Sequence, residues 1–96
     1  MKKPDELSAP ILDQDEMFEL MRGLLARKRQ FTVCTLFGGL RVGNDDEGWD
    51  VICHNSSYGH EEGLLESGGL PRRDDSVKGY LTAKEVLEML DETKGK

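Results

Sequence analysis

The sequence predicts an α+β domain: an N-terminal helix, an antiparallel sheet of two to three strands and a C-terminal helix, with both helices on one face of the sheet. Apolar residues recur at helical spacing over residues 17–25 and again over residues 86–90. Between them, residues 31–54 are rich in β-branched and aromatic residues and are interrupted by turn-forming glycine, asparagine and aspartate. Consecutive strands with a helix at each chain end are typical of a two-layer α+β architecture.

The chain length corresponds to one domain, because 96 residues is close to the common domain size. Residues 1–12 contain two lysines and two prolines without periodicity, so we predict a flexible lead-in there. Residues 13–92 form the predicted domain, and residues 93–96 a frayed C-terminus.

Both helices carry recognisable start signals. Asp13 is a predicted N-cap for the first helix, with Glu16 completing a capping box. Thr82 and Glu85 form the same motif before the last helix. The apolar stripe of the first helix consists of Met17, Leu20, Met21, Leu24 and Leu25.

The strands are expected on either side of an acidic turn. Residues 31–37 predict the first strand, which Gly38 and Gly39 then bend or bulge, and residues 40–42 are a short strand or its continuation. Residues 44–48 have turn chemistry, and residues 49–54 return as the hairpin partner. Leucines within residues 63–67 indicate a third, short strand, and Val77, Tyr80 and Leu81 are expected to dock on the core.

The net charge of −6 lies entirely in the middle of the chain. Residues 1–30 hold six basic and six acidic side chains, and residues 70–96 also hold six of each. Residues 31–69 hold one arginine against seven acids. Direct nucleic-acid binding and binding to an anionic membrane are therefore disfavoured. No apolar run is long enough to span a membrane, and the two cysteines are expected to be reduced thiols in the cytoplasm.

A metal or thiol site could be drawn from Cys34, Cys53, His54 and His60, whereas the paired acids at residues 45–47 and 61–62 are interpreted as solvated turn and loop residues. Cys53 and His54 are neighbours on a strand and point to opposite faces, and no ligand pair has zinc-site spacing. We interpret the thiols as buried small hydrophobes and the histidines as surface residues. The prediction is no enzyme, no cofactor and no metal, with a small Cys/His metal or thiol protein kept as an alternative.

Residues 57–66 are the stretch that folding alone explains least. They place Tyr58 and three acids among glycines before an apolar pair, and loops on rigid scaffolds often carry binding contacts. The competing interpretation is a glycine-shaped loop with Tyr58 docked on the sheet edge.

At this segment the chain resembles small phage and prophage proteins without known activity. Two segments of this chain carry the resemblance: Tyr58-Gly59…Gly63-Leu64-Leu65-Glu66 and the helix start Gly79-Tyr80-Leu81-Thr82. The resemblance implies a mobile-element setting and brings no functional residues. By analogy of class, small acidic proteins of that setting include anti-restriction and anti-CRISPR inhibitors, some of which mimic nucleic acid.

We therefore predict a non-enzymatic phage-type protein that binds a basic surface of a host protein. The more specific form of this prediction is a nucleic-acid-mimicking inhibitor of host defence. The alternative to binding is a structural or accessory protein whose acidity serves solubility. The oligomeric state is left open. The predicted contact residues are the aromatic anchors and the acids around them: Asp45, Asp46, Glu47, Trp49, Asp50, Tyr58, Glu61 and Glu62.

Overall fold

The computed structural model describes residues 13–70 and 76–94. Helix α1 spans Asp15–Ala26 and helix α2 spans Ala83–Lys94. The strands are β1 (Thr32–Leu36), β2 (Gly39–Asn44), β3 (Trp49–Cys53), β4 (Leu65–Gly68) and β5 (Val77–Leu81), with a 3-10 turn at His60–Glu62. The predicted lead-in, residues 1–12, lies outside the described residues. The single-domain boundaries and the frayed end stay predictions.

The protein is α+β, as predicted, but its sheet has five strands rather than two to three. The strands follow chain order and every neighbouring pair is antiparallel. Strand β2 was expected at residues 40–42 only as a short strand or a continuation of the first strand, and β5 was not expected. β2 begins directly after a tight turn at Phe37 and Gly38, both at positive φ (49° and 77°), which allows an immediate reversal rather than a bend. The short strand expected within residues 63–67 is present as β4.

Strand β5, which was not predicted, contains a β-bulge. Leu65 faces Leu81 but Ser67 faces Lys78, so two residues of β5 lie opposite one of β4. This insertion interrupts the alternation that normally reveals a strand. Val77 and Tyr80, expected on the core, are instead 55% and 59% exposed.

One face of the sheet is apolar and buried, and the other is polar. Val42, Val51, Cys53 and Leu65 are fully buried on the first face. Cys34, Arg41, Ile52 and Glu66 form a row across four strands on the second. The buried face and both helices contribute to a single hydrophobic cluster, including Met17, Leu20, Leu24, Val86 and Leu90. This shared cluster supports the prediction that both helices cover one face, which stays a prediction.

The two helix starts are coupled by one carboxylate. The N-cap of α1 is Gln14 rather than Asp13, and the Gln14 side chain makes no capping bond, although the Asp13 carboxylate accepts the backbone N–H of Asp15 at 3.3 Å. Glu16 accepts a hydrogen bond from the backbone N–H of Ala83 at 2.7 Å and so caps α2 instead of its own helix. The Thr82–Glu85 capping box is confirmed, with reciprocal bonds of 2.8 and 3.3 Å. Local spacing predicted a local cap, and the tertiary packing of the helices redirected it.

Candidate protein-binding site

The two acidic segments of the chain lie at opposite ends of strand β3. The turn at residues 44–48 precedes β3, and the loop at residues 54–64 follows it. A five-residue strand is about 16 Å long, so the predicted contact residues do not form one continuous patch. The turn and the loop must therefore be judged separately.

At the turn, Arg41 holds two of the predicted acidic residues. Its guanidinium lies 3.2 Å from Asp45 and 3.0 Å from Asp50. Partial burial opposes the charge of Arg41, but these hydrogen bonds outweigh it and raise its pKa. Asp45 and Asp50 are thus ion-paired within the chain.

Glu47 makes two side-chain interactions within the protein, with Arg29 and with Trp49. Its carboxylate lies 2.6 Å from Arg29, whose side chain is only 7% exposed, and accepts the indole N–H of Trp49 at 2.8 Å. The hydrogen bond from Trp49 lowers the pKa of Glu47, and Arg29 adds to the effect against partial burial. Glu47 neutralises a buried cation, which is a structural role.

Trp49 is not a binding anchor. It is 3% exposed and belongs to the hydrophobic core. Trp49 was predicted as an anchor because tryptophan often contributes much of the binding energy at protein interfaces. It alternates with Asp50 on β3, and the alternation places it on the buried face with Val51 and Cys53.

At the loop, the backbone of Tyr58 is held on both sides while its side chain is free. The Tyr58 N–H donates to Glu66 at 2.7 Å, and the Tyr58 carbonyl accepts from the N–H of Tyr80 at 3.5 Å. Tyr58 is 62% exposed, so its ring projects from the surface, while its backbone and β-carbon lie against the edge strand β5 at Tyr80 and Gly79.

Tyr80 is a candidate contact residue that was not predicted. It is 59% exposed and has φ +58°, a left-handed conformation that costs a non-glycine residue about 1–2 kcal/mol. A signal was present, since Tyr80 and Leu81 are sequence neighbours and a strand does not place two neighbours on the same face. Gly79 lets Tyr58 approach, since a β-carbon there would lie 2.5 Å from that of Tyr58.

The two tyrosines line a shallow groove whose other wall is acidic. Glu61 and Glu62 lie in the 3-10 turn and line it with His60. Both glutamates are exposed, and neither carboxylate has an ion-pair or hydrogen-bond partner among residues 13–70 and 76–94, although the backbone N–H of Glu62 donates to the Gly59 carbonyl at 3.0 Å. The Nδ1–H of His60 donates to the Ser57 carbonyl at 2.6 Å, which fixes its ring against the loop.

Glycines set the shape of this loop. Gly59 lies at φ +93°, and a β-carbon there would come within 3.1 Å of Tyr80 and Leu64. The Leu64 N–H closes the loop on the Gly59 carbonyl at 2.9 Å. The segment is therefore compact and ordered by its own hydrogen bonds.

The cysteines and histidines do not converge. Cys34 is exposed rather than buried, and it lies on the opposite sheet face from Cys53. His54 is 5% exposed rather than on the surface, with its ring against Phe37 at 5.3 Å. Within the described ranges, no group of three His, Cys, Asp or Glu side chains could hold a metal ion. Burial and the charge of Asp13 raise the pKa of the Cys53 thiol, which disfavours the nucleophilic thiolate.

Neither described helix is long and apolar enough to cross a membrane. No protein-family model matches the chain, and neither a curated protein nor a solved structure is significantly similar to it. The resemblance to phage proteins stays a prediction.

Proposed function

We propose that this protein is a non-enzymatic binding module that recognises a basic surface of a host protein through one end of its sheet. The contact surface, named the tyrosine groove, consists of Tyr58, His60, Glu61, Glu62 and Tyr80. The observation that carries the proposal is the pair of tyrosines, both more than half exposed, beside two carboxylates without partners in the described chain.

The groove is ordered before any partner arrives. The backbone of Tyr58 is hydrogen-bonded to Glu66 and to Tyr80, and the loop is closed by the Gly59–Leu64 bond. A preformed surface loses little backbone entropy on binding, and a tyrosine has only two side-chain torsions to order. The left-handed backbone of Tyr80 is a cost to folding that a function would justify.

The chemistry of the groove fits an arginine or lysine side chain. Aromatic rings attract a cation over their faces, and the carboxylates of Glu61 and Glu62 offer charge-assisted hydrogen bonds. The net charge of −6 would draw a basic partner in and make its association salt-dependent.

We retain a host protein in the cytoplasm as the partner, but nucleic-acid mimicry is not part of the proposed function. A mimic needs rows of free carboxylates in place of phosphates. Near the turn, Asp45, Glu47 and Asp50 are ion-paired with arginines. The acidic turn contributes to the long-range field of the protein rather than to the contact.

A titration with a short arginine-containing peptide tests the chemistry directly, with an identical citrulline peptide as the neutral control. Amide-proton NMR should show shifts concentrated at the tyrosine groove for the arginine peptide only. Raising the salt from about 50 to about 500 mM should weaken the effect. Shifts at the acidic turn instead, or equal shifts with citrulline, would contradict the proposal.

A pull-down of partner proteins from a bacterial lysate then compares two double variants, each of which removes two negative charges. Glu61→Gln/Glu62→Gln should reduce capture of a stoichiometric partner by about 10-fold, and so should Tyr58→Ala, because buried contacts of this kind carry more than 1 kcal/mol. Asp45→Asn/Asp46→Asn should leave capture nearly unchanged. Equal losses in both double variants would indicate a general charge effect. No partner at low salt would favour the structural or accessory alternative.

A further inference from the structure

The two edges of the sheet are built differently. At the β5 edge, Lys78 ties its ammonium to the Leu70 carbonyl and to Ser76, both at 2.8 Å, and the bulge at Gly79 and Tyr80 twists the strand. Lysine and bulges are the devices by which proteins prevent a sheet edge from pairing further. At the opposite edge, β1 has neither.

Strand β1 is open and well suited to pairing. Its sequence, Thr-Val-Cys-Thr-Leu, has no charge, proline or glycine and is rich in β-formers. Residues 32–35 are all exposed, including Val33 at 46%. Within residues 13–70 and 76–94, no strand lies beyond it.

The hydrogen-bonding groups that face outward follow from the turn. Leu36 and Gly39 flank the two-residue turn, so they form a hydrogen-bonded pair, and the pairing then alternates along the strands. Cys34 and Thr32 therefore bond to β2. The N–H and C=O groups of Val33 and Thr35 point to the free edge.

The edge is self-complementary about Cys34. An antiparallel second copy centred there places Val33 opposite Thr35 of the other copy, so that all the outward groups of both residues are paired. Thr32 then faces the other copy's Leu36, and no charged residue of β1 meets another. Centring on Val33 instead would place Thr35 opposite Phe31, and centring on Thr35 would place Val33 opposite Phe37, both outside β1.

We propose that the β1 edge joins two copies of this chain into one continuous sheet about a two-fold axis at Cys34. A second copy fits better than an unrelated strand because the segment Phe31-Thr-Val-Cys-Thr-Leu-Phe37 has nearly the same character in both directions. The contact is small, so the dimer is in exchange with the monomer. Because each chain carries −6, added salt strengthens the dimer, which is opposite to its effect on a basic partner at the tyrosine groove.

Disulfide trapping tests the register. Cys34 would lie opposite its own copy at a non-hydrogen-bonded position, with α-carbons about 4.5 Å apart, which a disulfide can bridge. Diamide, which takes up the two electrons and two protons, should give a covalent dimer from the full chain. Cys34→Ser should abolish it, since Cys53 is buried.

The matched control moves the thiol by two residues on the same face. In Thr32→Cys/Cys34→Ser, the two thiols would be separated by four residues of strand, about 13 Å, and cross-linking should fall by at least about 10-fold. Equal cross-linking of both proteins would show random collision and overturn the proposal.

Sedimentation without oxidant tests the contact itself. The mass should rise from 10.8 kDa towards twice that value as the protein is concentrated to about 1 mM, a range suited to weak interfaces. Thr35→Lys should remove the rise, whereas Phe18→Lys, an equal charge change at an exposed site on α1, should not. A wild-type chain that stays a monomer at that concentration overturns the proposal, whatever is found at the tyrosine groove.

Discussion

The two ends of strand β3 are both acidic in sequence, yet their carboxylates do different things. At the turn, Asp45 and Asp50 share Arg41, and Glu47 neutralises the buried Arg29. At the loop, Glu61 and Glu62 have no partner among the described residues and stand beside two exposed tyrosines. A cluster of acids in a sequence therefore does not by itself indicate a recognition surface, because folding decides which of them are already paired.

The difference arises from where the arginines lie. Arg41 precedes the turn on the neighbouring strand and is diagonal to Asp50, whose direct partner across the sheet is Gly43. Arg29 follows α1 and reaches Glu47 across 18 positions of sequence. The described part of the chain brings no such cation to the loop. Four predictions test this contrast.

Removing Glu47 should be the most damaging change. Glu47→Ala leaves the buried guanidinium of Arg29 without its carboxylate and Trp49 without its acceptor, so the free energy of unfolding should fall by about 2–3 kcal/mol. Urea denaturation measures this loss. Glu47→Gln, which keeps an acceptor oxygen, should cost less. A loss below about 0.5 kcal/mol would mean that the turn acids are as free as those of the loop.

Acid should weaken the turn in a way that depends on Glu47. Its pKa is lowered in the folded state, chiefly by the hydrogen bond from Trp49, so its stabilising contribution is present above the ordinary glutamate pKa and is lost as the pH falls through the lower folded-state pKa. The stability of the wild type should therefore fall more steeply with acid than that of Glu47→Gln. Parallel pH profiles of thermal unfolding would contradict this.

Substitutions at Tyr80 should change the free energy of unfolding without abolishing the fold. A comparison of Tyr80→Gly with Tyr80→Ala isolates the backbone, since both lose the ring and only glycine adopts φ +58° without strain. Glycine should be about 1 kcal/mol more stable than alanine in urea denaturation. If the two are equal, Tyr80 is not strained, and one support of the proposed groove is removed.

The smallest effect is expected for the loop acids. Glu61→Gln/Glu62→Gln should change the free energy of unfolding by no more than about 0.5 kcal/mol, because both side chains are exposed and lack partners among the described residues. The same urea experiment applies. A loss above about 1 kcal/mol would make them structural, and the two ends of β3 would no longer differ.

The strongest local patterns predicted the fold class and much of its detail. The apolar spacing of Met17, Leu20 and Leu24 identified α1, and the Thr82–Glu85 pair identified the start of α2. The hairpin around residues 44–48 followed from its turn residues. These features depend on neighbours within about one helical turn or one hairpin, so the sequence alone contains them.

The two helices, the hairpin around residues 44–48 and the location of the charge in the middle of the chain follow from the sequence alone. How that charge is used depends on tertiary packing, because ion pairs such as Arg29–Glu47 join residues from separate elements. Tertiary packing also decided that Leu25, on the apolar stripe of α1, is 66% exposed, that Trp49 is in the core and that Tyr58 and Tyr80 are on the surface. Burial depends on which elements meet, and no local pattern specifies that.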